Sequence, residues 1–348
     1  MERPDLTDAS DEIEAYIAYL ENALKEKPQA KSQNKTVSLE PAALAEPELT
    51  EPETTVQVIT LSHAGCMKRT PRHLYGRQRR AGMGVFEIDL PEDDRPKQII
   101  FADVESDLIA LTNFARIYKI PVAEIKETPV RGKGCLLADL LAGKGMHERE
   151  HVKTLLAGSG QAIAILTERG HVITRNKNFI KNGAILYDVN TISSPQSACW
   201  STGKDEIFVG TKKGLAIRFA TGQVSTKGTS AIRLDEGDGL LGIAAVEPTG
   251  GVLLVSADGR GTIRLMEGFR PNKSPGGGGK VALKTEKMAG MVTADPADDV
   301  FIISSLCKMI RFNAGDIPAK TGAVQGVHLM TLRADEVTAV GVATLIGN

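Results

Sequence analysis

Residues 78–84, Gln78-Arg79-Arg80-Ala81-Gly82-Met83-Gly84, set two guanidinium forks beside two glycines. A planar fork matches a phosphate through two parallel hydrogen bonds, and a glycine lets the backbone approach an anion closely. No acidic residue lies between Glu53 and Glu87, and Lys68, Arg69, Arg72 and Arg77 precede the run. A window of this kind predicts sequence-independent contact with a polyanion, because each phosphate neutralised by Lys or Arg releases counterions. The alternative is a solvated basic loop. Arg131-Gly132-Lys133-Gly134 repeats the mixture further along.

Other constellations carry less. His147-Glu148-Arg149-Glu150-His151 fits the H-E-x-x-H zinc signature, which needs a helix placing both histidines on one face and a third ligand. Here the pentad falls between two repeat units, so an exposed loop is expected and no metal site. The cysteines, Cys66, Cys135, Cys199 and Cys307, are spread without a C-x-x-C pair, which suits a reducing compartment and no disulfide framework. There is no G-x-x-x-x-G-K-[ST] nucleotide loop; Gly143-Lys144 is followed by Gly145. Neither cofactor nor catalytic residue is expected.

The elements that position the basic residues form a repeat. A small polar residue, a turn residue three later and a basic residue four further on recur as Ser62, Gly65, Arg69; Thr112, Ala115, Lys119; Thr211, Gly214, Arg218; and Ser304, Cys307, Arg311. Two copies are looser by one position: Thr167, Gly170, Arg175 and Ser256, Gly259, Arg264. Apolar residues precede each copy, so the pattern reads as strand, tight turn, strand. A glycine-led alternating strand follows at 84–90, 134–140, 183–189, 228–234, 279–285 and 326–332, then an apolar segment that reads as a fourth strand. Trp200 falls in one of these last segments and is expected in the core. Units of roughly 43 to 56 residues in this arrangement predict an all-β, six-bladed propeller over 56–346. The segment 337–345 is expected to complete the blade holding Arg69 and so close the ring. If every blade turns alike, Lys119, Arg175, Arg218, Arg264 and Arg311 recur around one rim as a curved track for a bent duplex; the alternative is edge-strand charge that blocks aggregation.

The first unit, with SHAGCMKRT at 62–70 followed by 78–84, resembles the C-terminal domain of DNA gyrase A. That family repeats a T-x-x-G-x-x-K-R-T type hairpin and carries one box close to Q-R-R-G-G-K-G. The match holds at Gln78, Arg79, Arg80, Gly82 and Gly84 and departs at Ala81, for glycine, and Met83, for lysine. Arg131 and Lys133 sit in a run resembling the weaker version of other blades. The resemblance covers roughly residues 56–346. It implies a β-pinwheel, whose blades exchange strands, with double-stranded DNA wrapped on a basic rim. It also implies an accessory role beside a type II topoisomerase (DNA gyrase or topoisomerase IV) and an effect on DNA supercoiling. No tyrosine sits in a context like that family's arginine–tyrosine nucleophile, so the chain reads as such a domain without the strand-passage machinery. A propeller that binds protein and has lost DNA wrapping is the second reading.

The net charge of −1 divides unevenly. Residues 1–55 carry 13 acidic and 5 basic side chains; the remainder carries 30 acidic and 37 basic. An acidic arm on a basic body again points to a polyanionic partner. Ser10, Ile13, Tyr16, Ile17, Leu20 and Leu24 predict a short capped amphipathic helix over 9–26, expected to dock on a protein partner. Residues 27–55 read as a disordered linker. No signal peptide and no run of about 18 apolar residues is seen, so a cytoplasmic, nucleoid-associated protein away from membranes is expected.

Overall fold

Each hairpin turn is made by the small polar residue and the turn residue of the motif. The turn residue adopts positive φ in every copy: Gly65 +87°, Ala115 +55°, Gly170 +77°, Gly214 +81°, Gly259 +80° and Cys307 +58°. In five copies the preceding Ser or Thr hydroxyl accepts the amide four residues on, as Ser62 Oγ does from Cys66 N at 2.9 Å. In the remaining copy Ser256 Oγ instead donates to the Arg260 carbonyl at 3.0 Å. A side-chain acceptor at this place offers the backbone a turn in place of a continued ladder.

The computed structural model describes residues 51–344. Among these, six hairpins lie at 56–71, 107–121, 162–176, 206–220, 251–265 and 299–313, and we number the blades 1 to 6 in that order. The innermost strand of each blade follows its own hairpin: Pro96–Asp103, Val152–Leu156, Pro195–Ser201, Leu240–Val246, Met288–Thr293 and Val337–Ala343. The outermost strand comes from the unit after. Cys135–Leu136 completes blade 1, Thr229–Ser230 blade 3, Lys280–Val281 blade 4 and Val327–His328 blade 5; blade 2 receives a single bridge, Arg116 to Ile185. The architecture is the expected all-β six-bladed propeller with exchanged strands.

Closure differs from the expectation. Val337–Ala343 pairs with Asp299–Ser304 of its own blade, not with the blade that holds Arg69. Val85–Phe86 pairs with Lys308–Met309 and closes the ring between blades 6 and 1. The reason is that unit 1 supplies its own inner strand, Pro96–Asp103, so blade 1 has no vacancy there. The strands read over 84–90 and 134–140 are also broken up: Val85–Phe86 and Ile88–Asp89 pair as separate two-residue strands, Cys135–Leu136 pairs, and Leu137–Leu141 turns into one helical turn.

Six apolar clusters lie between successive blades. Ile59 and Met67 of blade 1 pack with Leu108, Tyr118 and Val122 of blade 2, and Val58 packs with Phe301 and Ile303 of blade 6. Alternate residues of each hairpin therefore face opposite neighbours, and both faces are buried. Trp200 is half-buried: it lines the central channel and packs against the apolar cluster between blades 2 and 3. The helix expected over 9–26 and residues 27–50 of the linker expected over 27–55 lie outside the described residues. At the end of that linker, Glu51 is bound to the propeller by Arg72 and Arg311.

Candidate nucleic-acid interface

After each hairpin the chain makes one 3-10 turn and then crosses to the outer edge of the preceding blade. Three of these crossovers are anchored at equivalent carbonyls, the third with one residue more between its anchors. In 78–84, Gln78 N donates to the Arg311 carbonyl at 2.7 Å and Ala81 N to the Leu329 carbonyl at 2.8 Å. In 128–134, Thr128 N donates to Arg69 O at 2.8 Å and Arg131 N to Glu87 O at 2.9 Å. In 272–279, Asn272 N donates to Arg218 O at 2.6 Å and Gly276 N to Ala231 O at 2.7 Å. The second anchored residue has positive φ each time: Ala81 +66°, Arg131 +68° and Gly276 +82°. Gly84 then passes so close to blade 6 that a Cβ would stand 2.7 Å from the Met309 carbonyl oxygen.

The hairpin arginines build these loops from beneath. Arg311 is 1% exposed, Arg218 3% and Arg69 7%. Each guanidinium reaches the 3-10 turn of the next blade: Arg311 Nη1 donates to Arg72 O and Tyr75 O, Arg218 Nη1 to Met266 O and Phe269 O, and Arg69 Nε to Ile125 O at 2.7 Å. Carboxylates neutralise them. Asp299 takes Arg311 Nε at 2.9 Å, Glu206 takes Arg218, and Glu127 lies 3.4 Å from Arg69 Nη1. A fork that satisfies several carbonyls and a carboxylate at once suits this task, which a lysine would not perform. The expected rim position is therefore not where these three side chains lie; they are interior clamps.

The two looser copies show the effect of a one-residue slip. Side chains alternate along a strand, so the slip turns the arginine to the other face. Arg264 pairs across from Val252, which packs toward blade 4, and Arg175 from Ile163, which packs toward blade 2. Arg175 Nε donates to Leu186 O at 2.7 Å. Arg264 is buried over the Phe269 ring at 5.6 Å, with Nε and Nη1 lacking partners. Burial lowers the pKa of both. Lys119, in the remaining copy, is exposed.

The residues read around the first box separate likewise. Lys68 is buried against Glu87, Nζ to Oε2 at 3.0 Å, and Tyr75 Oη donates to the same carboxylate at 2.7 Å. Burial lowers the Lys68 pKa against the pull of Glu87; burial and the Glu87 charge raise that of Tyr75 well above its usual value. Arg72 is buried and holds Glu51 at 3.0 Å. Arg77 binds Asp299 at 2.9 Å. Arg79 is exposed, and the half-buried Arg80 donates to the His328 carbonyl. Gly82 and Gly84 carry the loop to the edge strand. Arg131 and Lys133 are exposed, Lys133 lying 3.6 Å from Asp89. The surface set is thus Arg79, Arg80, Arg131, Lys133 and Lys119.

Sequence reading missed Arg233, Arg270, Lys273 and Lys280, all exposed around 272–279. The run PGGGGK at 275–280 was the available signal, and it was hidden because it lacks the arginines of 78–84. The H-E-x-x-H pentad is a turn, with Glu150 N donating to His147 O at 2.8 Å, so its histidines do not share a helix face. Glu150 is buried and accepts from Thr112 Oγ1 at 2.6 Å. No cluster of metal-ligating side chains occurs among the described residues. None of their helices is long and apolar enough to cross a membrane.

A family model described as the DNA gyrase C-terminal domain, beta-propeller, matches residues 57–95, 106–134, 205–247 and 298–344. The DNA gyrase A protein of Staphylococcus aureus (strain MRSA252) is 28% identical over 299 residues, which cover 80% of this chain and 33% of that protein. The chain thus spans about a third of the length of the curated relatives it matches. Among solved structures, a DNA gyrase A C-terminal domain superposes with a TM-score of 0.71 at 20% identity, covering 82% of this chain and 99% of that one. The C-terminal domain of a DNA topoisomerase IV gives 0.57 at 16% identity, covering 82% and 93%.

Proposed function

The chain carries a β-propeller of the DNA gyrase A C-terminal kind, and we propose that it binds and wraps double-stranded DNA on its outer rim, as an accessory to a type II topoisomerase. The observation that carries this reading is the loop 78–84, which crosses to the outer edge of blade 6 with Arg79 exposed and Arg80 held on the His328 carbonyl. Arg131 and Lys133 stand at the next edge and Lys119 on the hairpin after it. These cations meet phosphate without reading bases, so affinity is independent of sequence. The buried clamps, Arg69, Arg218 and Arg311, serve the interface by holding the loops. Met83 takes a lysine's place, so one phosphate contact is missing and the wrap is weaker than on a complete box.

The reading gives this chain no bond-making step. Its partners are duplex DNA and the other proteins of a gyrase or topoisomerase IV, and its place is the cytoplasm at the nucleoid. The test is a duplex-binding titration at several salt concentrations, followed by ligation of nicked circles with the protein bound. Neutralising about four to six phosphates gives a slope of log affinity against log salt of roughly −4 to −5. Ligation then leaves a shift in linking number. A flat salt response with no linking shift favours the second reading, a protein-binding rim. That reading draws on exposed apolar side chains of the exchanged strands, Phe86, Leu136, Ile185 and Val281.

A further inference from the structure

We propose that the loop 272–279 is a second phosphate anchor, on the rim of blade 4, using Arg233, Arg270, Lys273 and Lys280. The inference rests on the DNA-binding reading and extends it to a part of the chain outside the segments that the gyrase family model matches. Two independent observations carry it.

The first is the backbone. Loop 272–279 makes the same two anchoring hydrogen bonds as 78–84, to the carbonyl of the clamp arginine and to the residue three past the neighbouring exchange glycine. A third bond also corresponds: Arg233 N donates to Gly277 O at 2.9 Å, as Thr331 N donates to Gly82 O at 2.9 Å. Gly276 occupies the place of Ala81 and takes its positive φ without a side chain. Gly278 has the Arg233 guanidinium, at 3.5 Å, as the one neighbour a Cβ would meet. A phosphate at this run can therefore touch backbone amides and a fork together.

The second is the charge. Arg233, Arg270, Lys273 and Lys280 are exposed, and none forms an ion pair among the described residues. No carboxylate occurs from Phe269 to Thr285 in the sequence. The Lys280 ammonium is held near the loop by the Arg270 carbonyl at 2.8 Å, and Gln223 Nε2 fixes the backbone at Lys273 through its carbonyl at 2.9 Å. By contrast Lys133, at the rim of blade 1, already has Asp89 near it. Cations without a carboxylate break no ion pair on meeting phosphate, so they release counterions with little offset.

The experiment compares the full chain with Arg270→Gln/Lys273→Gln/Lys280→Gln. All three side chains are exposed, and an unchanged urea midpoint confirms that the fold is kept. The second anchor adds to the phosphate contacts of the first interface and steepens the parent's slope accordingly, so the variant is expected to lose about three units of it, and with it part of the linking-number shift. A second arm tethers a hydroxyl-radical cleavage reagent to Ser274→Cys. Cuts are expected on duplexes long enough to be wrapped. A variant that keeps the parent's slope and linking shift, or a tether that leaves bound DNA uncut, overturns this anchor while the DNA reading stands. If the parent chain itself shows no salt-dependent affinity, the DNA reading fails and the anchor with it.

Discussion

The loops 78–84 and 272–279 leave their 3-10 turns by one route and reach the rim with opposite compositions. The first carries its cations within the loop, at Arg79 and Arg80, and holds Ala81 at φ +66°. The second carries a run of glycines, with Gly276 at +82°, and places its cations around the loop. Their shared path comes from beneath. Arg311 under one and Arg218 under the other each accept the loop's first amide on the carbonyl and clamp the 3-10 turn with the guanidinium. A loop held at its base by another blade can diverge in sequence while keeping its geometry. The buried arginine then matters to DNA binding without touching DNA.

Removing a clamp is the severest challenge to this equivalence. Arg311→Ala leaves Asp299 buried, with Arg77 alone among the described residues to answer it, and strips donors from Tyr75 and Arg72 carbonyls. Loss of one partner of a buried pair costs about 3–5 kcal/mol, read as a lower urea midpoint at unchanged slope. Arg218→Ala is expected to act alike under the other loop. Either variant unfolding at the parent's midpoint would mean that the loops hold themselves.

The next effect is on binding alone. Arg79→Ala/Arg80→Ala removes surface forks and keeps the clamps, so the urea midpoint stays and the salt slope falls by about two units. The linking shift is expected to fall with it. A double variant that wraps as the parent does would remove 78–84 from the interface.

A reciprocal pair isolates the backbone half. Ala81→Gly relieves a left-handed alanine and Gly276→Ala installs one; the Cβ added at Gly276 meets nothing closer than 3.5 Å. Stability is expected to rise by about 1 kcal/mol in the first and fall by about 1 kcal/mol in the second. Thermal melts that shift in the same direction would show that the two loops are not equivalent.

The smallest effect is at Glu51, which touches only the first loop's base. Burial opposes its charge, but hydrogen bonds and the charge of Arg311 and Arg72 outweigh burial and hold its pKa below the usual carboxylate value. A depressed folded pKa gives stability above the unfolded value that is lost as pH falls through the folded one. The stability difference between parent and Glu51→Gln is therefore expected to shrink on acidification below about pH 4. A difference that grows with acid would contradict the assignment.

The blade count, the all-β class and each hairpin turn were legible in the sequence. Ser62 with Gly65, or Ser304 with Cys307, names a turn through local hydrogen bonding and a left-handed residue, and both act within five residues. Composition alone also marked 78–84. Which basic residues lie inside was settled only by the packing of the blades. Arg69, Arg218 and Arg311 recur at one place in their repeat units, as a rim track would, yet both faces of their strands are covered by neighbouring blades. Burial on two faces erases the inside–outside alternation from which exposure is read. The partners of these arginines are backbone carbonyls, which have no residue type to give them away. The ring closure was hidden for a similar reason: Val85–Phe86 and Val337–Ala343 are both short apolar strands. Which one meets the far end of the ring depends on the exchange of strands between blades, a long-range pairing that local sequence does not encode.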